Sequence, residues 1–202
     1  MKFNILIKTS IFLLLAFAFY GCGYNTLVQM DENVSQAWSQ VENQYQRRAD
    51  LIPNLVNTVK GYAEFEKGVL VEVTELRSKV GQIKISSDDL SDEEKFKQYQ
   101  QAQDQLSGAL SRLLVVAENY PQLKANENFL ALQTQLEGTE NRIAVERRKF
   151  NQAVQQYNTK IRTFPTLITA KIFNFKEKQY FKSQPGTEKA PDVNFDFNKK
   201  DK

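Results

Sequence analysis

Three glutamates are the residues of this chain whose type could support acid–base or metal chemistry. Glu64 and Glu66 lie two residues apart, and Glu140 lies in a later segment. Two carboxylates can share the acid and base roles of a hydrolase, and carboxylate oxygens can hold a hard divalent cation. The sequence around them has no metal-binding loop motif, and helical cores rarely provide the cleft that a carboxylate pair needs. A carboxylate-dependent hydrolase or metal-dependent accessory enzyme is therefore the alternative function, not the preferred one.

The composition removes most other catalytic machinery. The 202 residues include no histidine and one cysteine, which excludes Ser-His-Asp and Cys-His catalysis and zinc sites built on imidazole. Only 8 glycines are present, and they form no phosphate-binding loop of a standard pattern. The 27 basic and 24 acidic residues give a net charge of +3, too small and too evenly spread to favour nucleic acid. We therefore predict a protein that is not an enzyme, with no catalytic residue, cofactor, metal or nucleic-acid partner.

The N-terminus has the pattern of an export signal. Lys2 and Lys8 precede an uninterrupted apolar run over residues 11–20, and Gly21 and Cys22 follow it. A helix over that run spans about 15 Å, roughly half of the hydrocarbon core of a bilayer, which fits a secretory signal better than a spanning helix. The Gly-Cys junction resembles a bacterial lipoprotein signal, in which the preceding residues are removed and the cysteine carries lipid. We therefore predict lipidation at Cys22.

The alternative is an uncleaved, single-pass membrane anchor over residues 3–24. Either arrangement attaches the protein to the membrane, by an N-terminal anchor or by lipid, on the exported side of the cell envelope. Because the chain has a single cysteine, its exported domain contains no internal disulfide. We divide the chain into a signal peptide or anchor (1–21), a helical body (22–182) and a flexible C-terminal tail (183–202).

Apolar residues recur at steps of three and four along the body, which predicts amphipathic helices. The first long helix is predicted over residues 27–80, with Pro53 inside it. Since the phase continues across this proline, we predict a kink there; the alternative is a break at which Asp50 caps a new helix. The stripe consists of Leu27, Met30, Val34, Trp38, Val41, Tyr45, Ile52, Leu55, Val59, Tyr62, Val69, Val73, Leu76 and Val80.

Three further helices complete the predicted fold. Ser91 and Glu94 have the spacing of a capping box that opens the second helix, which stops before Pro121. The third helix is predicted over residues 126–164, and a shorter amphipathic segment over residues 166–181. We predict an all-α protein, an antiparallel up-and-down helical bundle of four helices with a long, Pro-kinked first helix.

Two runs of this body are distinctive, Arg47–Val56 (RRADLIPNLV) and Tyr120–Asn126 (YPQLKAN). Together with several shorter motifs, they resemble the LemA family of bacterial membrane-attached proteins. The resemblance covers the chain from about Tyr24 to Phe181. It implies a helical bundle displayed at a membrane, with no established reaction or cofactor. The shorter matching motifs are Tyr24-Asn25, Ala37-Trp38, Val59–Tyr62, Phe129, Thr139–Ile143, Tyr157-Asn158 and Phe164-Pro165.

The predicted turns bring two polar segments to one end of the bundle. With turns centred near residues 85 and 123, Arg48 lies level with residue 122, and Glu64 lies near Glu140. Both polar segments belong to the motifs of the resemblance. The predicted interaction surface consists of Arg47, Arg48, Asp50, Glu118, Tyr120, Lys124 and Asn126.

Arg48 lies on the apolar phase of its helix and has two interpretations. As a structural residue it needs a carboxylate or helix C-terminal carbonyls as partner, and Glu118 is a candidate. As a functional residue it would anchor an anion or a carboxylate of a partner. We favour the structural interpretation, and expect Glu140 and Arg147, also on an apolar phase, to fix helix register.

The function that we predict is that of a membrane-anchored, non-enzymatic interaction or scaffold protein of the bacterial cell envelope. Its partners are the membrane and an unidentified protein, and formation of a homo-oligomer is left open. This function rests on the anchor, the helical pattern and the missing catalytic residue types.

Overall fold

The computed structural model describes residues 2–62 and 66–183, with side chains from residue 23 onward. These residues form helices and no strand, which confirms the all-α prediction for the described part of the chain. Within the same ranges, no helix combines the length and the apolar character needed to cross a membrane. The elements are the 3₁₀ turn Asp88–Ser91 and six α-helices: α1 (Lys2–Lys60), α2 (Lys67–Gln82), α3 (Glu93–Ala117), α4 (Pro121–Lys124), α5 (Glu127–Arg162) and α6 (Thr166–Ile172).

The long helix predicted over residues 27–80 is in fact two helices that run in opposite directions. α1 ends at Lys60, just before Gly61, and α2 returns along α1 and packs against α3. The apolar stripe is buried on both sides of the reversal, as Val59 and Val73 show. Periodicity predicts which face of a helix is buried, but it does not reveal that the chain changes direction.

Pro53 lies inside α1, and the helix continues through it, so the alternative of a break capped by Asp50 is wrong. Proline has no amide hydrogen and cannot donate to the carbonyl of Ala49, four residues earlier. Arg77 of α2 supplies the missing donor, since its Nε donates to the Ala49 carbonyl at 2.8 Å. The acceptor that Pro53 leaves free in α1 is thus a docking point for α2.

α1 and α5 are packed against each other in antiparallel directions. Tyr45 of α1 contacts Arg147 of α5, whereas Tyr62, just beyond the end of α1, contacts Asn126 just before the start of α5. α3 runs parallel to α1, because its contacts advance in the same direction along both helices. Side chains of α1, α3 and α5 therefore contact one another at several levels along the bundle.

The helix starts are set by single polar side chains. The N-cap of α3 is Asp92, whose carboxylate accepts hydrogen bonds from two backbone amides at 3.1 Å each. The capping box predicted at Ser91 is wrong, because Ser91 ends the preceding 3₁₀ turn. Asn126 is the N-cap of α5, which confirms the predicted start of that helix.

The buried apolar side chains form two clusters, one after the other along α1. α2 contributes to the second cluster only, so the first cluster lacks that helix as a cover. The first cluster includes Leu27, Val34, Trp38, Val41, Phe96, Tyr99, Ile143, Phe150, Val154 and Tyr157. The second cluster includes Ile52, Leu55, Val59, Leu70, Val73, Leu106, Leu110, Leu113, Phe129 and Leu136.

A segment without regular secondary structure covers the first cluster in place of the predicted fourth helix. The amphipathic segment predicted over residues 166–181 is helical only in α6, and residues 175–183, here called the strap, form neither helix nor strand. Phe181 of the strap is buried in the first cluster. The predicted flexible tail lies outside the described residues from residue 184 onward.

Arg77→Ala should lower the free energy of unfolding by about 1–3 kcal/mol, because it leaves the half-buried Ala49 carbonyl without a donor. In the Pro53→Ala background, residue 53 regains an amide that can bond to the same carbonyl, so the cost of Arg77→Ala should fall to about half or less. Chemical denaturation of both single variants and the double variant measures this coupling. Lys79→Ala, at an exposed position of α2, is the control. Equal losses in both backgrounds would contradict the assignment.

Candidate functional site

A buried arginine joins three helices at one level of the bundle. Arg48 of α1 is 0% exposed. Its Nη1 donates to Glu140 of α5 at 2.9 Å and also to the hydroxyl of Ser107 on α3. Its Nη2 donates to the side-chain oxygen of Gln103 on α3. Ser107 in turn donates to the second carboxylate oxygen of Glu140 at 3.1 Å, so the groups around the guanidinium are bonded to each other as well.

A second arginine extends this arrangement toward the strap. Arg147 of α5 donates from Nε to the Tyr45 hydroxyl at 2.6 Å and from Nη2 to Asp104 at 2.7 Å. Its guanidinium carbon lies 4.6 Å from the centre of the Phe181 ring. Burial raises the pKa of Tyr45 to about 12, although the charge of Arg147 opposes the shift. We call the whole set the polar layer: Tyr45, Arg48, Gln103, Asp104, Ser107, Glu140 and Arg147.

The polar layer lies between the two apolar clusters and is balanced in charge. Arg48 is paired with Glu140, and Arg147 is paired with Asp104. The fully buried Arg48 and the partly buried Arg147 need such partners, and the partners fix how far each helix can slide. The structure therefore supports the structural interpretation of Arg48, but its carboxylate partner is Glu140 and not Glu118.

Of the three glutamates of the alternative enzyme function, the structure describes Glu66 and Glu140, and these two lie on different elements. Both oxygens of Glu140 accept hydrogen bonds within the polar layer. Glu66 is the exposed N-cap residue of α2, and Glu64 lies outside the described residues. In residues 23–62 and 66–183, no group of three or more metal-ligating side chains is placed to hold an ion.

The predicted interaction surface is divided into two groups in the structure. Arg47 and Asp50 are exposed on α1 and flank the buried Arg48. Asp50 accepts a hydrogen bond from the Gln46 amide at 2.7 Å. This group lies about 20 Å along the helix from Tyr62, because α1 rises about 1.5 Å per residue. The expectation that Arg48 is level with residue 122 is wrong, since α1 ends at Lys60.

The other group lies at the end of the bundle where α1 stops. Glu118 and Lys124 are both exposed and form an ion pair, and Tyr120 between them is half-buried. Asn126 caps α5 and donates to the Tyr62 hydroxyl at 3.0 Å. The structure thus brings Glu118, Lys124 and Asn126 to one end, where Tyr62, just beyond the end of α1, is the neighbour of Asn126.

Several residues of the polar layer were not predicted from the sequence. Gln103 occupies an apolar position of α3, and Ser107 follows one turn later, so the interrupted stripe was the signal that could have revealed them. Asp104 had no such signal. Its role depends on how α3 faces α5, which the sequence pattern does not fix.

The fold and the polar layer define an all-helical protein whose charged core residues are paired with one another across three helices. The LemA family model matches residues 37–195, a range that contains the whole polar layer. The chain belongs to the LemA family.

Named relatives agree with this assignment. The magnetosome proteins MamQ 1 and MamQ 2 of Paramagnetospirillum magneticum are each 29% identical to the chain over 178 residues, which cover 80% of this chain and 65% of theirs. Protein LemA of Metamycoplasma hominis is 30% identical over 146 residues, which cover 72% of this chain and 63% of that protein. The chain therefore spans less than two thirds of each of these relatives. Their names describe no reaction.

Arg48→Ala should lower the free energy of unfolding by about 3 kcal/mol, because it leaves Glu140 and Gln103 without their shared donor. This is the lower end of the range for buried ion pairs, since the Glu140 side chain keeps 33% exposure. Arg47→Ala, at the exposed neighbouring position, should change the value by less than about 0.5 kcal/mol. Denaturant titration measures both. A loss in Arg48→Ala no larger than in Arg47→Ala would rule out the structural role.

The raised pKa of Tyr45 predicts a loss of stability in alkaline solution. Below pH 10 the hydroxyl is protonated in both folded and unfolded chains, and its contribution is complete. Between pH 10 and the folded value of about 12, only the unfolded chain loses the proton, so stability falls as pH rises. In Tyr45→Phe, the decline of the unfolding free energy with pH should be less steep, by the contribution of one titrating proton. Unfolding free energies at pH 8 and pH 11 test it, and parallel declines in both proteins would contradict it.

Proposed function

We propose that this chain is a membrane-tethered, non-enzymatic scaffold of the bacterial cell envelope, which acts by binding other proteins. The observation that carries the proposal is a group of exposed apolar side chains beside the predicted lipid attachment point. Contiguous apolar surface on a folded protein commonly marks contact with a membrane or another protein. We call this group the end patch: Tyr24 (38% exposed), Phe164 (75%), Ile168 (41%), Ile172 (62%) and Phe173 (56%).

α6 holds the end patch against the N-terminal part of α1. The rings of Tyr24 and Phe173 are 4.6 Å apart. A β-carbon at Gly23 would lie 3.3 Å from the Thr169 hydroxyl, so α6 packs directly against the α1 backbone at this point. Cys22, the predicted lipidation site, is the adjacent residue. Lipid on Cys22 and the end patch would therefore act at the same end of the molecule.

The chemistry of the end patch suits the boundary between lipid and water. Ile168 and Ile172 are one turn apart and share a face of α6. Lys171 and Lys176 are exposed beside them and would attract anionic headgroups. A further apolar contact with the membrane adds binding free energy to that of a lipid tether.

The internal pairing of the polar layer supports a role in contacts more than in catalysis. In this proposal α1, α2, α3 and α5 act as one antiparallel, up-and-down bundle whose first helix is kinked at Pro53. The group containing Glu118, Lys124 and Asn126 then faces away from the membrane as a surface for a protein partner. The names of the relatives, for magnetosomes or for the family, state no reaction, and they identify no partner for this chain.

A fatty-acid probe fed to cells that make the full chain should label the wild type and not Cys22→Ser, because the thiol is the acceptor of the lipid. Gel mobility should show removal of the signal in the wild type only. Retained label in Cys22→Ser would disprove the lipid tether.

The same strains test the end patch. Ile168→Asp/Ile172→Asp should keep the label but be extracted from membranes at lower salt and pH than the wild type, because it loses the second contact. Val115→Asp replaces an exposed apolar residue on α3 and is the matched control. Identical extraction of all three proteins would remove the end patch from the proposal.

A further inference from the structure

The strap is held by side-chain amides that each bond to both backbone groups of one residue. Asn158 donates to the carbonyl of Lys178 and accepts from its amide, both at 2.9 Å. Asn151 does the same for Phe181, again at 2.9 Å in both directions. Gln100 of α3 completes the series at Lys182, donating at 2.6 Å and accepting at 3.2 Å. We call these three contacts the amide clamps.

The spacing of the amide clamps matches an extended chain. Asn151 and Asn158 are seven residues apart on α5, about 10.5 Å along the helix. The residues that they hold are three apart, which is about 10 Å in an extended chain. Seven residues of α5 therefore match three residues of an extended chain, from Lys178 to Phe181. Since the clamps bond to backbone groups, they hold any peptide of this conformation whatever its side chains.

Two side chains of the strap make contacts that depend on their chemical type. Phe181 lies among aromatic rings, with centroid distances of 5.0 Å to Phe96, 5.4 Å to Phe150 and 6.0 Å to Trp38. The guanidinium of Arg147 lies against the same ring. This position therefore selects a large aromatic side chain.

The second position selects a cation. Lys178 lies 3.1 Å from the Asp31 carboxylate, and its ammonium is 5.9 Å from the centre of the Tyr157 ring. Its side chain is only 10% exposed, so the ammonium group is enclosed by these partners and does not extend into solvent. The groove between α3 and α5 therefore recognises a cationic residue that is followed three residues later by an aromatic residue.

The strap does not fill this groove. A cavity of about 660 Å³ lies on the α5 side, and one of about 1080 Å³ lies on the side of α2 and α3. Tyr180, Lys182 and Ser183 border both cavities. Arg148 lines the first and Arg112 the second, so both offer charged side chains that an incoming peptide could contact. A peptide with larger side chains at these positions would gain contacts that the strap does not make.

We propose that the groove between α3 and α5 is a peptide-recognition site, occupied in this structure by the chain's own strap. Its ligand is an extended segment of another protein that carries Lys or Arg three residues before an aromatic residue, with bulky residues around the aromatic. This inference rests on the proposed function, because it specifies the partner of the scaffold. The identical strap of a second copy is a poor competitor, since an internal segment has an effective concentration near the millimolar range. A foreign segment that also fills the cavities can displace it.

The test measures binding of a fluorescent nine-residue peptide with the sequence of residues 175–183 to the purified full chain. Lys178→Ala/Phe181→Ala weakens the strap but leaves the groove intact, and it should bind the peptide about 100-fold more tightly than the wild type does. Adding Asn151→Ala/Asn158→Ala to that variant should weaken binding about tenfold or more, because two amide clamps are lost. A peptide with alanine in place of Phe181 is the control ligand. Equal binding by wild type and strap variant, or by variants with and without the clamps, overturns the proposal.

A second measurement uses the wild-type chain, so that the test does not depend on the folding of the strap variant. The wild-type chain is irradiated with peptide at concentrations above the millimolar effective concentration of the strap, and the peptide carries a photoreactive phenylalanine at the position of Phe181. Crosslinks to Trp38, Phe96 or Phe150 support the proposal, and crosslinks confined to other surfaces overturn it. A wild-type dimer in light scattering that disappears in the strap variant would assign the groove to a second copy and also overturn it. None of these measurements involves a membrane, so their failure is distinct from failure of the tether.

Discussion

A guanidinium removed from water must find partners for its charge and its hydrogen-bond donors, and Arg48 imposes this requirement on three helices at once. Burial of an unpaired charge costs several kcal/mol, whereas two apolar helices can slide past each other at much smaller cost. The partners of Arg48 come from α3 and α5, and a shift of one turn, about 5.4 Å, would separate them. The position of one arginine therefore sets the register of the apolar clusters on both sides of it.

The need to satisfy buried backbone polar groups also explains the position of α2. Pro53 removes a donor from α1, and the carbonyl of Ala49 is satisfied by Arg77 from the returning helix. α2 is short and covers only the second cluster. The first cluster is closed by Phe181 of the strap, whose backbone groups are bonded by side-chain amides instead of by a helix. Hydrogen-bond requirements thus determine where each covering element lies.

The helical stripes could be predicted from the sequence because burial repeats with the helix period. Trp38, Leu110 and Phe150 were expected on the apolar faces, and they are buried. The start of α5 at Asn126 could be predicted because a helix start is set by residues that are adjacent in the sequence. Contacts between distant segments could not be predicted in this way. The reversal after Lys60 keeps the phase of the stripe, so the partner of Arg48 was assigned to the wrong end of the bundle. The strap has an amphipathic sequence, but its conformation depends on Asn151 and Asn158, which lie 20 or more residues earlier.

The amide clamps also restrict which sequences can occupy the groove, even though they bond only to backbone. At Lys178, Phe181 and Lys182 the chain must supply an amide hydrogen as well as a carbonyl. Proline has no such hydrogen, so it is excluded at these three positions and also at Gln179, whose amide donates to the Leu90 carbonyl at 2.8 Å. The groove therefore discriminates against proline at defined positions, and the spacing of two of them is set by the rise of α5 between Asn151 and Asn158.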